Sequence, residues 1–422
     1  MVNPRLRVAP RWRVVYAGAV AVVLIYLLSR DMRLLRSAFV YDVFIYQCYA
    51  RGFWQGEVEA LRAAPETKDC RPFWGGAARR YHTLPREYPA PALAVFSLPL
   101  LTPWLPYNAA FEWWMAMLLL SANVALALRG PPGSAVALPL YTLLAGWQFL
   151  LIRYDLAPGL CILLALILAE HERPRAATVA LAVSTLLKGF ALLLVPVFVL
   201  TWRRRYRSWR LDCLLLGAGL LLLGLLPVLI ASPEGALEPL RYAAQRPLHV
   251  ESLAGMLLWT TSSWIPGGAR LVFSYGSNNV VGPLEGIYST LFAGLFVVGL
   301  GAGYRLARRR DGLVEGVLLL LIVTLVTNKV FSPQYILWAL PTVAYYEGLR
   351  LRWLVVVTLV FFISGDGVLP FAAGQLPTPP GGEPFPSPSF VGRVLACHAF
   401  LCWLGVSYAL RSRTPLARRS PA

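Results

Sequence analysis

Charged side chains are scarce in this chain of 422 residues, at 14% of the sequence against about 25% in ordinary globular domains. Hydrophobic residues make up 57%, which is more apolar surface than a soluble globule of this size can bury. The same apolar content excludes an intrinsically disordered chain. The composition therefore predicts an all-α polytopic membrane protein whose helices use lipid as their solvent.

Sequence motifs for metal and nucleotide binding are also missing. The chain contains no HExxH, no CxxC and no similar metal-ligand spacing, and it has no glycine-rich loop that could hold a nucleotide phosphate. We therefore expect neither a metal ion nor another cofactor, and we do not expect ATP to be a substrate.

Lysine is rare too, since Lys68, Lys188 and Lys329 account for three of the 39 basic residues. Of the 36 arginines, 22 fall in seven short clusters that separate apolar runs, which is the positive-inside pattern of a multispan protein. We expect these clusters to face the cytoplasm and to contact anionic membrane lipids, and we expect no nucleic-acid partner. The clusters are Arg5 to Arg13, Arg129, Arg173 and Arg175, Arg203 to Arg210, Arg305 to Arg310, Arg350 and Arg352, and Arg411 to Arg419.

The apolar runs predict ten membrane crossings, with both termini in the cytoplasm. No cleavage site follows residues 13–30, so this run is predicted to be a membrane helix and not a removed signal. Residues 91–106 are short and interrupted by prolines, and we interpret them as a re-entrant piece. The other predicted spans are 107–128, 135–152, 154–170, 211–230, 286–304, 313–330, 335–347, 352–370 and 390–410.

Residues 176–200 have basic clusters on both flanks, so both of their ends are expected in the cytoplasm. They predict a re-entrant hairpin of two half-helices that turns at Lys188 and Gly189. The turn would place an ammonium group deep in the membrane, where ionisable side chains are costly and usually functional. The alternative is one ordinary span that breaks the positive-inside rule once.

The whole chain, 1–422, is predicted to form a single transmembrane domain with three segments on the outer side. These segments are 31–90, 231–285 and the Pro/Gly-rich loop 371–389. Cys48 and Cys70 share the first of them, where a disulfide is possible in an oxidising compartment. The other four cysteines lie in apolar runs and are predicted to be small buried residues.

Asp42 is the first candidate for chemistry, about 12 residues after the first predicted span. Helical spacing would place Ile45 and Tyr46 beside it. A carboxylate that apolar and aromatic neighbours desolvate gains basicity, which suits a general base. The alternative is a helix-capping or salt-bridged aspartate in an arginine-rich loop.

Further polar residues interrupt apolar sequence near the predicted span ends. Arg153-Tyr154-Asp155 could carry a function, or it could be a tight turn with an internal ion pair. Lys329 lies at the outer end of a span, where its ammonium group suits a phosphate but could equally snorkel to the interface. A polar cluster on the outer side contains Arg241, Gln245, Arg246, His249 and Glu251, although a lone histidine is more often structural than catalytic.

Several of these stretches resemble, in chain order, the motifs of the GT-C superfamily of polyprenol-phosphate-sugar-dependent glycosyltransferases. The resemblance covers about residues 13–350. The late motif is similar to that of glycosyltransferase family 87, the branch that includes phosphatidylinositol-mannoside mannosyltransferases. Gly189-Phe190-Ala191 lacks the proline that the family often has there, and Tyr88-Pro89-Ala90-Pro91 departs from its Tyr-Pro-Pro pattern. The matching stretches are Tyr41-Asp42-Val43-Phe44-Ile45-Tyr46, Glu87-Tyr88-Pro89-Ala90-Pro91, Arg153-Tyr154-Asp155, Leu187-Lys188-Gly189-Phe190, Gln245-Arg246 through Glu251-Ser252-Leu253, and Phe331-Ser332-Pro333-Gln334-Tyr335-Ile336-Leu337-Trp338.

The resemblance implies a GT-C-type bundle of about ten transmembrane helices with re-entrant half-helices and a large first extracytoplasmic loop. It implies an inverting hexosyltransferase of the cell membrane, with mannose as the default sugar and a polyprenyl-monophosphate sugar as donor. The acceptor would be a glycolipid, a glycan or another hydroxyl compound at the extracytoplasmic face, and no cofactor would be needed. Asp42 matches the catalytic base. The donor-phosphate candidates are Lys188, Arg153, Lys329 and Arg246, and the substrate-binding candidates are Tyr41, Asp155, His249, Glu251, Gln334 and Tyr88.

Two other functional classes fit part of the sequence. One is a multispan transporter or lipid flippase without transferase activity, since broken helices with charges at mid-membrane depth are common in transporters. The other is a non-catalytic lipid-binding or assembly subunit. The large outer segment 31–90 and the lack of visible inverted repeats favour the glycosyltransferase over the transporter.

Overall fold

The computed structural model describes residue 18 and residues 41–410, apart from residues 132, 207–209, 310–311 and 373–385. The predicted span 13–30 and most of the predicted loop 371–389 therefore lie outside the described residues. Within the described part, the chain is predominantly helical with a few short strands, as the composition predicts for an all-α fold.

The helices of the first half of the chain include several short 3-10 pieces (η). They are α1 (Tyr41–Ala63), η1 (Pro65–Cys70), α2 (Arg71–Trp74), η2 (Ala90–Ala92), α3 (Leu93–Ser97), η3 (Leu98–Leu101), α4 (Tyr107–Arg129), α5 (Ser134–Leu150), α6 (Leu156–Glu170), α7 (Pro174–Leu187), η4 (Gly189–Leu194) and α8 (Val195–Tyr206).

The second half adds a small antiparallel sheet with the strand order β1-β3-β2. Its elements are α9 (Leu211–Ala231), α10 (Pro233–Gln245), β1 (Leu248–His249), α11 (Leu253–Ser262), β2 (Arg270–Ser274), β3 (Ser277–Val281), α12 (Glu285–Ala307), α13 (Leu313–Thr327), η5 (Pro333–Trp338), α14 (Leu340–Glu347), α15 (Leu351–Ala372) and α16 (Pro388–Leu410).

Four helices in the described part of the chain are long and apolar enough to cross a membrane, namely α4, α9, α12 and α16. Six shorter apolar stretches of 10–17 residues accompany them among the described residues. Only 6% of the apolar window of α9 and 11% of that of α12 are fully buried, although each of these helices packs against a neighbouring helix on one side. A helix that is apolar all round and unburied is expected to be surrounded by lipid. These helices indicate a membrane protein.

Four of the arginine clusters within the described residues meet at one end of the helix bundle, which we call the Arg-rich end. Cross-contacts join them in pairs: Arg205 with Glu172 at 2.8 Å, Arg175 with Asp212 at 2.9 Å, Arg129 with His171 at 3.3 Å, Arg309 with the carbonyl oxygen of Ala409 at 3.3 Å, and Arg204 with that of Arg308. The clusters are far apart in sequence, so only the alternating directions of the helices can bring them together. This arrangement is the one that the positive-inside interpretation requires.

The opposite end of the bundle, which we call the polar end, contains two outer segments of the sequence. The predicted segments 31–90, of which residues 41–90 are described, and 231–285 contact each other there: Arg86 pairs with Glu238 at 3.2 Å, and His82 Nδ1 lies 3.1 Å from the carbonyl oxygen of Ala231. Hydrogen bonds of the antiparallel strands β2 and β3 stiffen the second segment. The two segments at the polar end are therefore folded against each other, as a ligand-binding site outside the lipid would require.

The chain doubles back between α7 and α8. Helix α7 ends at Leu187, and Lys188 is extended, with φ −155° and ψ 107°, before the chain continues into η4. The last turn of α8 returns to the start of α7, since Arg205 donates to Glu172 and also to the carbonyl oxygen of Ala169 at 3.3 Å. Lys188 consequently lies a full helix length, roughly 21 Å, from the Arg-rich end.

Cys48 and Cys70 form a disulfide with a Cα–Cα distance of 5.3 Å. The bond ties the end of η1 to α1, and the indole of Trp74 donates to the carbonyl oxygen of Cys48 at 2.8 Å. Among the other cysteines, Cys213 and Cys397 are buried as the sequence predicts, whereas Cys161 is half-buried and Cys402 is exposed. The prediction was wrong for Cys402 because an apolar helix in lipid can leave its small residues on an outward face.

Removing the disulfide is expected to lower stability. The bond closes a loop with a sequence separation of 22 residues, so its loss should lower the free energy of unfolding by about 3 kcal/mol through the larger entropy of the unfolded chain. Thermal melts of the full chain in detergent would compare the Cys48→Ser/Cys70→Ser double variant with wild type. Cys402→Ser is the matched control, and equal melting temperatures for all three proteins would contradict the prediction.

Candidate active site

Asp42 lies in the first turn of α1, and its carboxylate is paired with an arginine from a distant part of the chain. The Oδ2 atom of Asp42 is 2.5 Å from Nη2 of Arg153, and both side chains are 20% exposed. Arg153 lies three residues after the last residue of α5, and its backbone N–H donates to the carbonyl oxygen of Phe149 at 2.9 Å, so the end of the helix fixes its position. The pair is therefore held where α1 begins and α5 has just ended, at the polar end.

Asp155 belongs to a second ion pair, which is more deeply buried. Its side chain is 2% exposed, and its Oδ1 accepts hydrogen bonds from Lys188 and, at 2.6 Å, from the indole nitrogen of Trp338. The alternative of an internal Arg153–Asp155 ion pair was wrong, because each of these charges pairs with a different helix. A buried carboxylate is tolerated only when charged and polar partners satisfy it, and Lys188 and Trp338 fulfil that requirement.

Aromatic rings surround the ammonium group of Lys188. Its Nζ lies 4.6 Å from the ring centroid of Tyr335, 4.7 Å from that of Trp338 and 5.3 Å from that of Tyr154. Phe190 and Tyr335 stack on Trp338 with centroid distances of 4.1 and 4.3 Å. These rings stabilise the cation by cation–π attraction and fix its direction, and the ammonium keeps two N–H groups beyond the one that it gives to Asp155.

A second aromatic group lies beneath Asp42. Tyr46, one helical turn after Asp42, is fully buried and stacks on Phe96 with a centroid distance of 4.3 Å. Tyr88 and Tyr154 contact the ring of Tyr46 edge-on, with centroid distances of 5.6 and 5.8 Å. This packing keeps water away from one side of Asp42. Burial consequently raises the pKa of Asp42 above its ordinary value, although Arg153 opposes the shift.

Arg246, His249, Glu251 and Lys329 form a second polar group at the same end. Arg246 donates to the hydroxyl of Ser277 at 2.7 Å, and the ammonium of Lys329 donates to the carbonyl oxygen of Ala244 at 2.8 Å. The backbone N–H of His249 donates to the carbonyl oxygen of Lys329 at 2.9 Å, which ties the two predicted motifs together.

The side chains of His249 and Glu251 are both buried, with Nδ1 and Oε2 3.7 Å apart. Burial and the nearby Arg246 lower the pKa of His249 to about 3, while burial raises the pKa of Glu251 to about 8. Both groups are therefore uncharged near neutral pH, so their contact is not an ion pair. Arg153 and Arg246 are close enough to Glu251 to oppose that shift, so this group adjoins the Asp42–Arg153 pair.

The remaining substrate-binding candidates, Tyr41, Tyr88 and Gln334, do not form one group. Tyr41 begins α1, and its side chain lies outside the described residues. Tyr88 belongs to the aromatic group beneath Asp42, as described. Gln334 is buried at the start of η5 and accepts a hydrogen bond from the hydroxyl of Ser332. Gln334 thus has a local partner, and nothing in its contacts points to a ligand.

Two residues of the site were not among the candidates. Glu87 is half-buried between Asp42 and three arginines, and burial and the negative charge of Asp42 raise its pKa to about 7. Trp338 supplies the second hydrogen bond to Asp155. Both lie inside stretches that resemble the GT-C motifs, Glu87 beside Tyr88 and Trp338 at the end of the late motif. The sequence alone did not distinguish them from the other residues of those stretches.

Within the described part of the chain, no three His, Cys, Asp or Glu side chains lie close enough together to hold a metal ion. Comparisons of the chain with protein-family models, with curated proteins and with solved structures found no match.

Proposed function

We propose that the chain is an inverting glycosyltransferase that moves a hexose from a polyprenyl-monophosphate donor to a lipid or glycan acceptor. The observation that carries the proposal is the cluster of Asp42, Arg153, Asp155 and Lys188, in which Asp155 is buried and the other three side chains are half-buried. Three separate parts of the chain assemble it at the polar end. A carboxylate beside two cations in a site with little water is the arrangement that such a transfer requires. Mannose is the sugar that the family resemblance favours.

The proposed reaction is a single displacement. The acceptor oxygen attacks the anomeric carbon while its proton passes to the carboxylate of Asp42. As the new carbon–oxygen bond forms, the bond from the anomeric carbon to the phosphate oxygen breaks, and its electron pair leaves with the polyprenyl phosphate. The configuration at the anomeric carbon is inverted because attack and departure occur on opposite faces.

Arg153 and Lys188 would stabilise the charge that develops on the leaving phosphate. Each is paired with one carboxylate, but a guanidinium has five N–H groups and an ammonium has three. The Nε of Arg153 is buried and has no hydrogen-bond partner among the described residues. The side chains of Arg153 and Lys188 are 20% and 17% exposed, so the N–H groups on their exposed sides would serve the phosphate oxygens while Asp42 and Asp155 hold them in position. Arg246 and Lys329 would contribute at longer range.

The polyprenyl tail would reach this site from the lipid at the break between α7 and α8. Here η4 follows Lys188 directly, and the side chain of Leu192 is 52% exposed. The lipid-exposed helices α9 and α12 lie on either side, since α9 packs on α7 and α12 packs on α8. An isoprenoid chain in this place would extend its phosphate toward Lys188.

The proposed topology has ten crossings, of which the span 13–30 is the first. The Arg-rich end and both termini would face the cytoplasm, as the positive-inside rule requires. The polar end, with Asp42, would then face the extracytoplasmic side, where no nucleotide is needed because the lipid-linked sugar is itself the activated donor.

The direct test incubates the purified full chain with radiolabelled polyprenyl-phosphate sugars and a membrane lipid extract. The panel contains mannose, glucose, galactose and arabinofuranose donors, and nucleotide sugars serve as the control. We expect one lipid-linked donor to label a product and no nucleotide sugar to do so. Labelling from a nucleotide sugar, or from none of the donors, would overturn the proposal. A transporter or flippase would move the donor between vesicle leaflets without forming a product.

A further inference from the structure

A cleft of about 320 Å³ opens at the polar end, and both outer segments line it. The first segment supplies Tyr49, Arg86 and Glu87, and the second supplies Glu238, Tyr242 and Tyr275. Ligand sites in proteins usually have volumes of about 300–1,000 Å³. The cleft therefore has room for one or two sugar rings and not for a large folded partner.

Two tyrosines present aromatic surface on one side of the cleft. The rings of Tyr242 and Tyr275 have centroids 5.0 Å apart and planes at 78°, and the hydroxyl of Tyr242 donates to the carbonyl oxygen of Tyr275 at 2.7 Å. That hydrogen bond fixes the Tyr242 ring relative to the β2–β3 turn. A fixed ring can stack on the C–H face of a pyranose, which is apolar although its edges carry hydroxyls.

The polar side of the cleft has balanced charge. Arg86 pairs with Glu238 at 3.2 Å, and its backbone N–H donates to the hydroxyl of Tyr49 at 3.3 Å. Glu87 adds a second carboxyl group. Carboxyl oxygens and a guanidinium already engaged by a carboxylate suit hydroxyl groups, which both donate and accept hydrogen bonds. Glu238 already balances the charge of Arg86, and Glu87, with a pKa of about 7, is partly negative at neutral pH, so the cleft lining offers a phosphate no unpaired cation.

The cleft adjoins the cluster of Asp42, Arg153, Asp155 and Lys188. Glu87 lines the cleft and is close enough to Asp42 that the charge of Asp42 raises its pKa, while Arg153 lowers it. The geometry agrees, because Tyr49, which lines the cleft, lies two helical turns after Asp42 on the same face of α1, and Tyr88, next to Glu87 in the chain, contacts Tyr46 at 5.6 Å. A ligand in the cleft would thus lie on the face of α1 that carries the carboxylate proposed to take the acceptor proton. The disulfide supports the opposite wall, because Phe73, which also lines the cleft, follows Cys70 in α2.

We infer that this cleft binds an unphosphorylated sugar unit of the acceptor and presents one of its hydroxyl groups to Asp42. The inference rests on the proposed function and narrows it, because the acceptor must then carry at least one neutral sugar residue. Tyr242 stacks on the ring of that sugar, and Glu87 and Glu238 bind its hydroxyls.

The test measures binding without transfer. Saturation-transfer NMR on the full chain in lipid nanodiscs would use neutral disaccharides of mannose, glucose and galactose, with inositol phosphate as the charged probe. We expect at least one disaccharide to bind and inositol phosphate to bind more weakly. Tyr242→Ala and Glu238→Gln should each weaken disaccharide binding about tenfold, whereas donor binding stays unchanged. Glu238→Gln is nearly isosteric, so it remains informative if Tyr242→Ala fails to fold.

Glu234→Gln is the matched control, because Glu234 is exposed on the same helix α10 and does not line the cleft. The inference is overturned if no disaccharide binds, if inositol phosphate binds more tightly than all of them, or if both cleft variants bind like the control. Failure of the proposed function has a different signature, since a chain that transfers no sugar would still bind the disaccharide. Transfer with unaltered acceptor KM in both cleft variants would refute the cleft alone.

Discussion

Asp42→Asn is expected to lower kcat for sugar transfer by about 100- to 10,000-fold, the usual contribution of a general base. Asparagine keeps the size of the side chain and an oxygen that can accept from Arg153, so the binding of the donor should change little. Arg153, whose side chain is 20% exposed, loses its charged partner, so a modest loss of stability is expected, as for Asp155→Asn. Asparagine cannot take a proton from the acceptor hydroxyl, so the loss should appear in kcat. The measurement is steady-state transfer from the donor identified in the panel, with donor binding measured separately.

Asp69→Asn is the control for Asp42→Asn, because Asp69 is an exposed aspartate in the same outer segment. Transfer by Asp42→Asn at the wild-type rate would refute the mechanism. The pH profile gives a second readout. Burial raises the pKa of Asp42, so the wild-type kcat/KM should fall with decreasing pH at a higher pH than for an ordinary carboxylate. Residual activity of Asp42→Asn should lack that acidic limb.

Variants at Lys188 and Asp155 are expected to distinguish a structural role of this ion pair from a role in sugar transfer. Lys188→Met leaves the carboxylate of Asp155, which is 2% exposed, without its cation, and this should lower the free energy of unfolding by about 3–5 kcal/mol. Asp155→Asn should also destabilise the protein, although less, because the side chain of Lys188 is 17% exposed and that of Asp155 only 2%. Both single variants should transfer sugar poorly.

The double variant Lys188→Met/Asp155→Asn distinguishes the two roles. Both charges are removed together, so its melting temperature should return close to that of wild type. Transfer should nevertheless stay about 100-fold or more below wild type, because the cation for the leaving phosphate is gone. Lys68→Met, at an exposed lysine, is the control. A stable double variant that transfers sugar normally would show that Lys188 is only structural.

Sequence reasoning was most successful where composition or a break in periodicity carried the information. The scarcity of charge and the long apolar runs predicted a membrane protein, and four helices of sufficient length and apolarity agree with that prediction. The expected break at Lys188 coincides with the end of α7. These features are local, because hydropathy and a glycine beside a charged residue between two apolar runs are read from a few neighbouring positions.

The chain's own sequence determined which residues could carry charge and where helices end, because hydropathy and backbone preference act over a few neighbouring residues. Only the tertiary structure decided which charged and polar side chains pair. Arg153 pairs with Asp42 and not with Asp155, and Asp155 accepts a hydrogen bond from Trp338, which is 183 residues away in sequence. The tertiary structure also places Glu87 close to Asp42, and it pairs Gln334 with the hydroxyl of Ser332, two residues earlier. Such choices depend on the free energy of burying each charge with the nearest available donor, and which donor is nearest follows from the packing of distant helices.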